Sequence, residues 1–361
     1  MMKKIMHVNN TMNIGGIENF LLNVTRNIDL ENYNFEFLCY KEDHFDFEDI
    51  LSSYGCKIYR ITDPKKVSKL KHIKELTKIF KDHDVDVVES HTYFESAEVM
   101  FAAFLAGVKV RITHSHTTEG LNKVSFFRKI KWNIARILID FFSTDRVACS
   151  KDAGRALFGK KSFKIIENGI DVDKFYYNEK VRKQLREEYH ISNTDIILGH
   201  IGRFDSTKNH EFLINVLESL EKKDNNYKLV LVGDGKNIEK IKDLVIQKNL
   251  INKVIFVGSV KDTYNYYNIF DLFLFPSIYE GLGMSLIEAQ ANGLKCLAST
   301  NVPLESKITE NVQYLDLNNM NIWLDKINQL KSFERSKVNL EDSDYNIKIV
   351  VRKLEKIYDK K

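Results

Sequence analysis

Only three prolines and four cysteines occur in 361 residues, and no apolar run approaches the roughly 18 uncharged residues that a membrane-spanning helix requires. Any membrane contact is therefore expected to be peripheral. The cysteines (Cys39, Cys56, Cys149 and Cys296) are scattered, with no CxxC pair and no Cys/His spacing suited to zinc. Three of them read as small core residues in or beside apolar strands. A reducing compartment, and hence a cytoplasmic protein, is the expectation. The first ten residues lack the apolar core and cleavage site of a signal peptide. Lys and Arg together number 54 against 50 Asp and Glu, an excess too small to argue for a nucleic-acid partner. The GxGxxG fingerprint is missing, which argues against a dinucleotide-dependent oxidoreductase. There is no internal repeat, low-complexity tract or long linker.

What is present is a 43% hydrophobic, 29% charged chain, long enough for two domains of ordinary size. Short apolar runs at 3–8, 35–40, 57–61, 86–90, 110–114, 146–150 and 164–167 read as strands. A second series follows at 196–201, 228–232, 254–257, 272–275, 295–298 and 313–315. Helical periodicity occupies 17–28, 69–81, 211–220, 238–247 and 285–291. Strands alternating with helices predict two α/β domains, each a doubly wound, Rossmann-like parallel sheet covered on both faces. The joint is placed at 171–193, where the strand pattern pauses; the domains are drawn at 1–175 and 176–343. Residues 344–361 form a last helix whose apolar positions, Ile347, Val350, Val351, Leu354 and Ile357, can close over either domain. Two such sheets facing across a cleft would gather their ligands at the carboxyl ends of the strands.

The strongest chemical signal runs from Glu280 to Glu288: Glu280-Gly281-Leu282-Gly283-Met284-Ser285, with a helix starting there, after the strand at 272–275. Glycines after a strand permit close backbone approach, and the N-terminus of the next helix attracts a phosphate. Ser285 is expected to cap that helix. A second signal, Gly202-Arg203-Phe-Asp-Ser-Thr-Lys208, follows the strand at 196–201. Its guanidinium fork and compact ammonium suit a diphosphate. Gly15-Gly16, between the first strand and helix, is either a tight turn or a close approach to a ligand phosphate or sugar. His114 and His116 end one strand and His91 ends another, at the edges where function gathers; zinc is disfavoured because no cysteine or carboxylate cluster accompanies them in sequence. The Asp-Val-Asp triplets at 84–86 and 171–173 lie before and after strands and are not expected to bind metal. Finally, the stretch from Lys123 to Phe142 carries an apolar helical stripe with Arg128, Lys129, Lys131, Arg136 and Trp132 beside it. Such a helix can rest on an anionic membrane surface or pack on a sheet.

In combination and order, these residues resemble the retaining GT-B glycosyltransferases, particularly glycosyltransferase family 4. Glu280 and Glu288 are similar to its EX7E motif, and Gly15-Gly16, Glu167-Asn168-Gly169, Gly202-Arg203 with Lys208, and Gly233-Asp234-Gly235 accompany it. The resemblance implies an N-terminal acceptor domain, a C-terminal donor domain, and a terminal helix that crosses back to the first. It implies that Arg203 and Lys208 hold a donor diphosphate, Glu288 the ribose, and Glu280 hydroxyls of the transferred sugar. Gly16, Gly202 and the backbone of Gly281–Ser285 would touch phosphate or sugar, and His116 would be the active-site histidine, with His114 a close competitor. The implied reaction is metal-independent hexosyl transfer from a nucleotide-sugar, with UDP favoured and no cofactor required. The acceptor is a saccharide or lipid-linked saccharide in cell-surface polysaccharide synthesis at the inner face of the membrane. A nucleotide-sugar epimerase and a non-catalytic sugar-nucleotide binder are the competing readings. Asn209, Glu167 and Gly293-Leu294-Lys295 depart from the usual glycine after the lysine and prolines before Asn-Gly and before the later strand.

Overall fold

The computed structural model describes residues 2–41, 43–117, 125–222, 226–330 and 335–360. The chain divides into two units, Met1–Asp171 with Asp342–Lys361, and Val172–Glu341.

The first unit contains β1 Lys3–Asn9, α1 Gly16–Asn27, β2 Tyr33–Cys39, α2 Glu48–Ser53, β3 Lys57–Arg60, α3 Lys69–Asp82, β4 Val87–Ser90, α4 Ser96–Ala106, β5 Val110–Ser115, α5 Phe126–Phe142, β6 Asp145–Ala148, α6 Lys151–Phe158 and β7 Lys164–Ile165. Its seven strands lie in the order β3-β2-β1-β4-β5-β6-β7, all parallel. Successive residues of a strand point to opposite faces, and in the central strands both faces are apolar because both are covered. Ile5, Phe35 and Phe37 pack beneath α1. Met6, Leu38 and Val88 face α3 and α4.

The second unit contains α7 Val172–Phe175, α8 Glu179–Glu188, β8 Ile196–Ile201, α9 His210–Glu221, β9 Tyr227–Val232, α10 Ile238–Gln247, β10 Val254–Gly258, β11 Leu272–Phe275, α11 Met284–Ala291, β12 Cys296–Ser299, β13 Val312–Leu315 and α12 Met320–Leu330. Its six strands run β10-β9-β8-β11-β12-β13, again parallel throughout. Leu198, Leu229, Leu231 and Leu297 form one apolar face with Leu213, Leu217 and Trp323.

The final helix, α13 Ile347–Tyr358, begins at Asn346, whose side chain accepts from the Lys348 N–H. It belongs to the first unit. Ile347, Val350, Val351, Leu354 and Ile357 are buried in the same cluster as Phe20 and Phe35. Backbone bonds from Ile170 N–H to Tyr345 O (2.8 Å) and from Ile347 N–H to Ile170 O (2.9 Å) pin its start.

In each sheet the strand order reverses once, between β1 and β4 and between β8 and β11. A crevice opens outside the carboxyl ends at such a point, because the following loops diverge to opposite faces. Gly15-Gly16 follow β1, His91 follows β4, and Arg203, Lys208 and Glu280 lie on the loops after β8 and β11, whereas His116 follows β5 and Glu288 lies within α11. Among the described residues no helix is long and apolar enough to cross a membrane, and Lys123, at the start of the basic stretch, lies outside them.

Candidate active site

In the second unit, β8 ends at Ile201 and feeds the turn that carries Arg203 and Lys208. β11 ends at Phe275 and feeds the loop that carries Glu280. Lys208 Nζ donates to Glu280 Oε1 at 2.5 Å, and the Ser277 hydroxyl donates to the same oxygen at 2.6 Å. The ammonium also sits 5.4 Å from the centre of the Phe275 ring. The Ile278 N–H donates to Thr207 O at 2.7 Å, tying the two loops together. Asp205 Oδ1 accepts from the Thr207 N–H and hydroxyl (2.8 and 2.6 Å) and from the Lys208 N–H (3.3 Å). Burial alone would raise the Asp205 carboxyl, but these bonds hold it below its usual range.

Asn209, where the resembling family often has glycine, adopts φ 57° and ψ 46° and serves as N-cap of α9. Asparagine tolerates this left-handed conformation, so the departure preserves the turn. Arg203 is exposed, and no side-chain bond holds it among the described residues. The structure thus joins Lys208 to Glu280 and leaves the Arg203 guanidinium open.

Helix α11 begins after Gly283, which is left-handed (φ 86°) and is the N-cap. Ser285 is therefore not the cap, as its sequence position suggested. It occupies the first turn, where the N–H groups of Met284 and Ser285 lie among the orphan donors of a helix start. A side chain at Gly283 would be strained by this φ, and its Cβ would press on the Phe275 ring at 3.0 Å. The carbonyl of Leu282 accepts from the Ser306 hydroxyl, which fixes the loop from below. Glu288, one turn in, accepts from the Tyr267 hydroxyl at 2.6 Å. Burial raises its carboxyl to about 7, against the lowering effect of that bond. Ser277 and Tyr267 escape sequence reasoning. Ser277 follows a strand by two residues and so had a positional signal, whereas Tyr267 lies in a short helix with none.

In the first unit the histidines form one buried chain. His116 Nδ1 lies 3.0 Å from Asn168 Oδ1, His116 Nε2 lies 2.9 Å from His91 Nδ1, and His91 Nε2 lies 3.2 Å from His7 Nδ1. An amide oxygen only accepts, so each Nδ1 carries the proton and each Nε2 of His116 and His91 accepts. His114 Nδ1 donates to Glu89 Oε1 at 2.8 Å, and the Tyr358 hydroxyl donates to Glu89 Oε2 at 2.6 Å. Burial lowers His7 to about 4 and His114 to about 3, and pushes His91 and His116 well below the usual range. All four are neutral at pH 7.

A carboxylate thus does accompany the histidines, contrary to the sequence expectation. Glu89 lies two residues before His91 on the same strand edge. His91, His114 and His116, and likewise His7, Glu89 and His91, bring one ligand atom each within 4.8 Å of one another. Such donors can hold a cation, yet the hydrogen bonds above already engage most of them. Gly16 opens α1 with free space where a Cβ would stand, whereas a Cβ on Gly15 would lie 2.3 Å from Glu18 Oε2. The glycine turn therefore wraps a carboxylate, which itself complements the positive start of α1.

Two open parallel sheets, each with candidate residues beyond the carboxyl ends of its strands, define the GT-B class of α/β proteins. Residues 181–346 match the Glycosyl transferases group 1 family and residues 14–174 match Glycosyltransferase Family 4. CapH of Staphylococcus aureus, a capsular polysaccharide biosynthesis glycosyltransferase, is 30% identical over 99% of both chains. EpsF of Bacillus subtilis, named as a glycosyltransferase, is 32% identical over 83% of this chain and 80% of its own. The chain belongs to the glycosyltransferases. Its fold is shared with a glycosyltransferase from Rickettsia africae (TM-score 0.81, 19% identity, 99% of this chain and 98% of that one). It is shared also with Anabaena HepE, solved in complex with UDP and glucose (TM-score 0.75, 17% identity, 99% and 97%).

Proposed function

We propose that the protein is a retaining hexosyltransferase that moves a sugar from a UDP-sugar to a saccharide or lipid-linked saccharide during capsular or exopolysaccharide assembly. The observation that carries this reading is the convergence of Lys208, Glu280 and Ser277 at the β8/β11 switch point, beside the start of α11. An ammonium there, with the exposed Arg203 guanidinium and the helix N-terminus, suits a departing diphosphate and needs no metal to balance its charge. Glu280, already a hydrogen-bond acceptor, suits hydroxyls of the transferred sugar, and Glu288 suits a ribose. His116, neutral and at a strand end, suits the sugar or acceptor side. The name of CapH and the UDP bound to HepE support the same choice of pathway and nucleotide.

The test is thermal stabilisation by a panel of nucleoside diphosphates and their sugars. UDP or one of its sugars is expected to raise the melting temperature selectively, and Glu288→Ala and Arg203→Ala to abolish the rise. Absence of any nucleotide effect would overturn the donor site. Release of UDP that depends on added acceptor then separates transfer from epimerisation or simple binding.

A further inference from the structure

The side chain that holds Glu288 does not come from its own helix. Tyr267 lies near the end of a short 3-10 helix, Thr263–Asn268, which leads into β11. Its hydroxyl donates to Glu288 Oε2 at 2.6 Å and stands 3.2 Å from the Ser285 carbonyl oxygen. A hydroxyl carries one proton and two lone pairs. Towards a Glu288 carboxylate it donates. Towards a protonated Glu288 it accepts and turns its own proton to Ser285. In both states one oxygen of Glu288 is held.

Ring and backbone of Tyr267 are themselves fixed. The ring is fully buried and packs against Phe175 (5.8 Å), Phe270 (5.9 Å) and Phe273 (5.7 Å). The Tyr267 carbonyl and those of Asn268 and Phe270 accept from the Arg335 guanidinium at 2.9, 3.2 and 2.5 Å. Arg182 donates to the carbonyls of Asn268 and Ile269, both at 3.0 Å. Two guanidiniums distant in sequence thus clamp the backbone from which the ring hangs. Burial and the charge of Glu288 raise the hydroxyl well above its usual range, so it stays a donor.

Glu288 is half-buried, and among the described residues its Oε1 has no hydrogen-bond partner. The last torsion of a glutamate is broad, so a carboxylate presents a defined edge only when one oxygen is tied. The Tyr267 bond ties Oε2 and leaves Oε1 as the open acceptor. It is not enough to make the carboxylate comfortable where it lies, since burial still raises Glu288 to about 7. An acceptor held in place at that cost suits a ligand donor better than it suits the fold.

We propose that Tyr267 is a positioning residue for Glu288, and that it sets the preference of the site for a ribose with free 2′ and 3′ hydroxyls over a sugar lacking them. The proposal rests on the reading of Glu288 as the ribose-binding carboxylate. A diol gains from such an acceptor only to the extent that the acceptor is oriented before the ligand arrives.

The experiment is calorimetric titration of the full chain with UDP and with 2′,3′-dideoxy-UDP. It compares wild type, Tyr267→Phe, Glu288→Ala and the double variant. Wild type is expected to bind UDP the more tightly. Tyr267→Phe keeps the ring and removes the hydroxyl; it should weaken UDP about tenfold and leave the dideoxy ligand unchanged. Glu288→Ala should erase the preference, and Tyr267→Phe added to it should change neither affinity further. A merely structural tyrosine would weaken both ligands alike. That result overturns the proposal, as does a Tyr267→Phe chain that keeps the preference while Glu288→Ala loses it. If wild type shows no preference, or Glu288→Ala retains it, the ribose reading itself falls and the proposal with it. Glu288→Asp covers the case in which Tyr267→Phe does not fold. It withdraws the carboxylate from the hydroxyl by one methylene, and an undiminished preference there also overturns the proposal.

Discussion

Lys208 and Glu288 illustrate how neighbours set what a side chain can do. The ammonium of Lys208 is held at 2.5 Å by Glu280, so its position is fixed before any ligand arrives. A preorganised charge at a leaving group is worth about 10²-fold or more in turnover. Lys208→Ala is therefore expected to lower kcat by about 10²-fold with a smaller change in donor KM. Steady-state kinetics with saturating acceptor checks this, and an unchanged kcat would remove Lys208 from the mechanism. Glu288 gives a pH prediction. Its carboxyl is raised to about 7 in the folded chain, above its ordinary value of 4.5. Between those values the folded chain holds a proton that the unfolded chain releases. Its stabilising contribution is thus complete at the acid end and lost as pH rises through about 7, by on the order of 2–3 kcal/mol. Melting curves should show wild type losing stability against Glu288→Gln between about pH 5 and pH 8; parallel curves would contradict it. Glu280, Lys208 and Glu288 were legible in sequence because glycines and strand ends flank them. Tyr267 was not, because only folding brings it to Glu288.

At the scale of elements, the Gly233-Asp234-Gly235 loop after β9 shapes the turn that presents Arg203. Gly233 has φ 136°, and a Cβ on it would stand 2.2 Å from the Gly202 carbonyl oxygen. Gly235 has φ 155° and would place a Cβ 2.7 Å from Phe204 O. The Phe204 N–H in turn donates to Asp234 O at 2.9 Å. Two loops thus lock backbone to backbone. Gly233→Ala is expected to cost about 2 kcal/mol or more through strain and displacement. It should also weaken UDP-induced stabilisation, although Gly233 is not proposed to touch the nucleotide. Denaturant unfolding and thermal shift measure the two effects, and an undisturbed UDP response would show that the turn is set by β8 alone. The strands were legible to within a few residues because most are short apolar runs, buried on both faces in the middle of each sheet. Helix α4 was not, since Ser96–Ala106 is apolar nearly all round and gives no periodicity. Helix α5 was legible as amphipathic.

For the whole molecule, α13 makes the first unit discontinuous in sequence. Leu354 is 1% exposed within the cluster that holds Phe20 and Phe35. Leu354→Ala should cost the first unit about 2–5 kcal/mol. Calorimetry is expected to show the transition of that unit lowered, while the transition that responds to UDP stays in place. A shift of the UDP-responsive transition instead would place the contribution of α13 in the wrong unit. The alternation of apolar runs and amphipathic helices determined the two parallel sheets by itself, because burial on both faces leaves a pattern along the chain. The glycines and charges at strand ends pointed to where the candidate site lies, because a parallel sheet sends every strand end to the same edge. Tertiary structure alone decided which groups meet. His7, Glu89, His91, His114, His116, Asn168 and Tyr358 come from seven positions spread over most of the first unit, and no local spacing encodes their contacts.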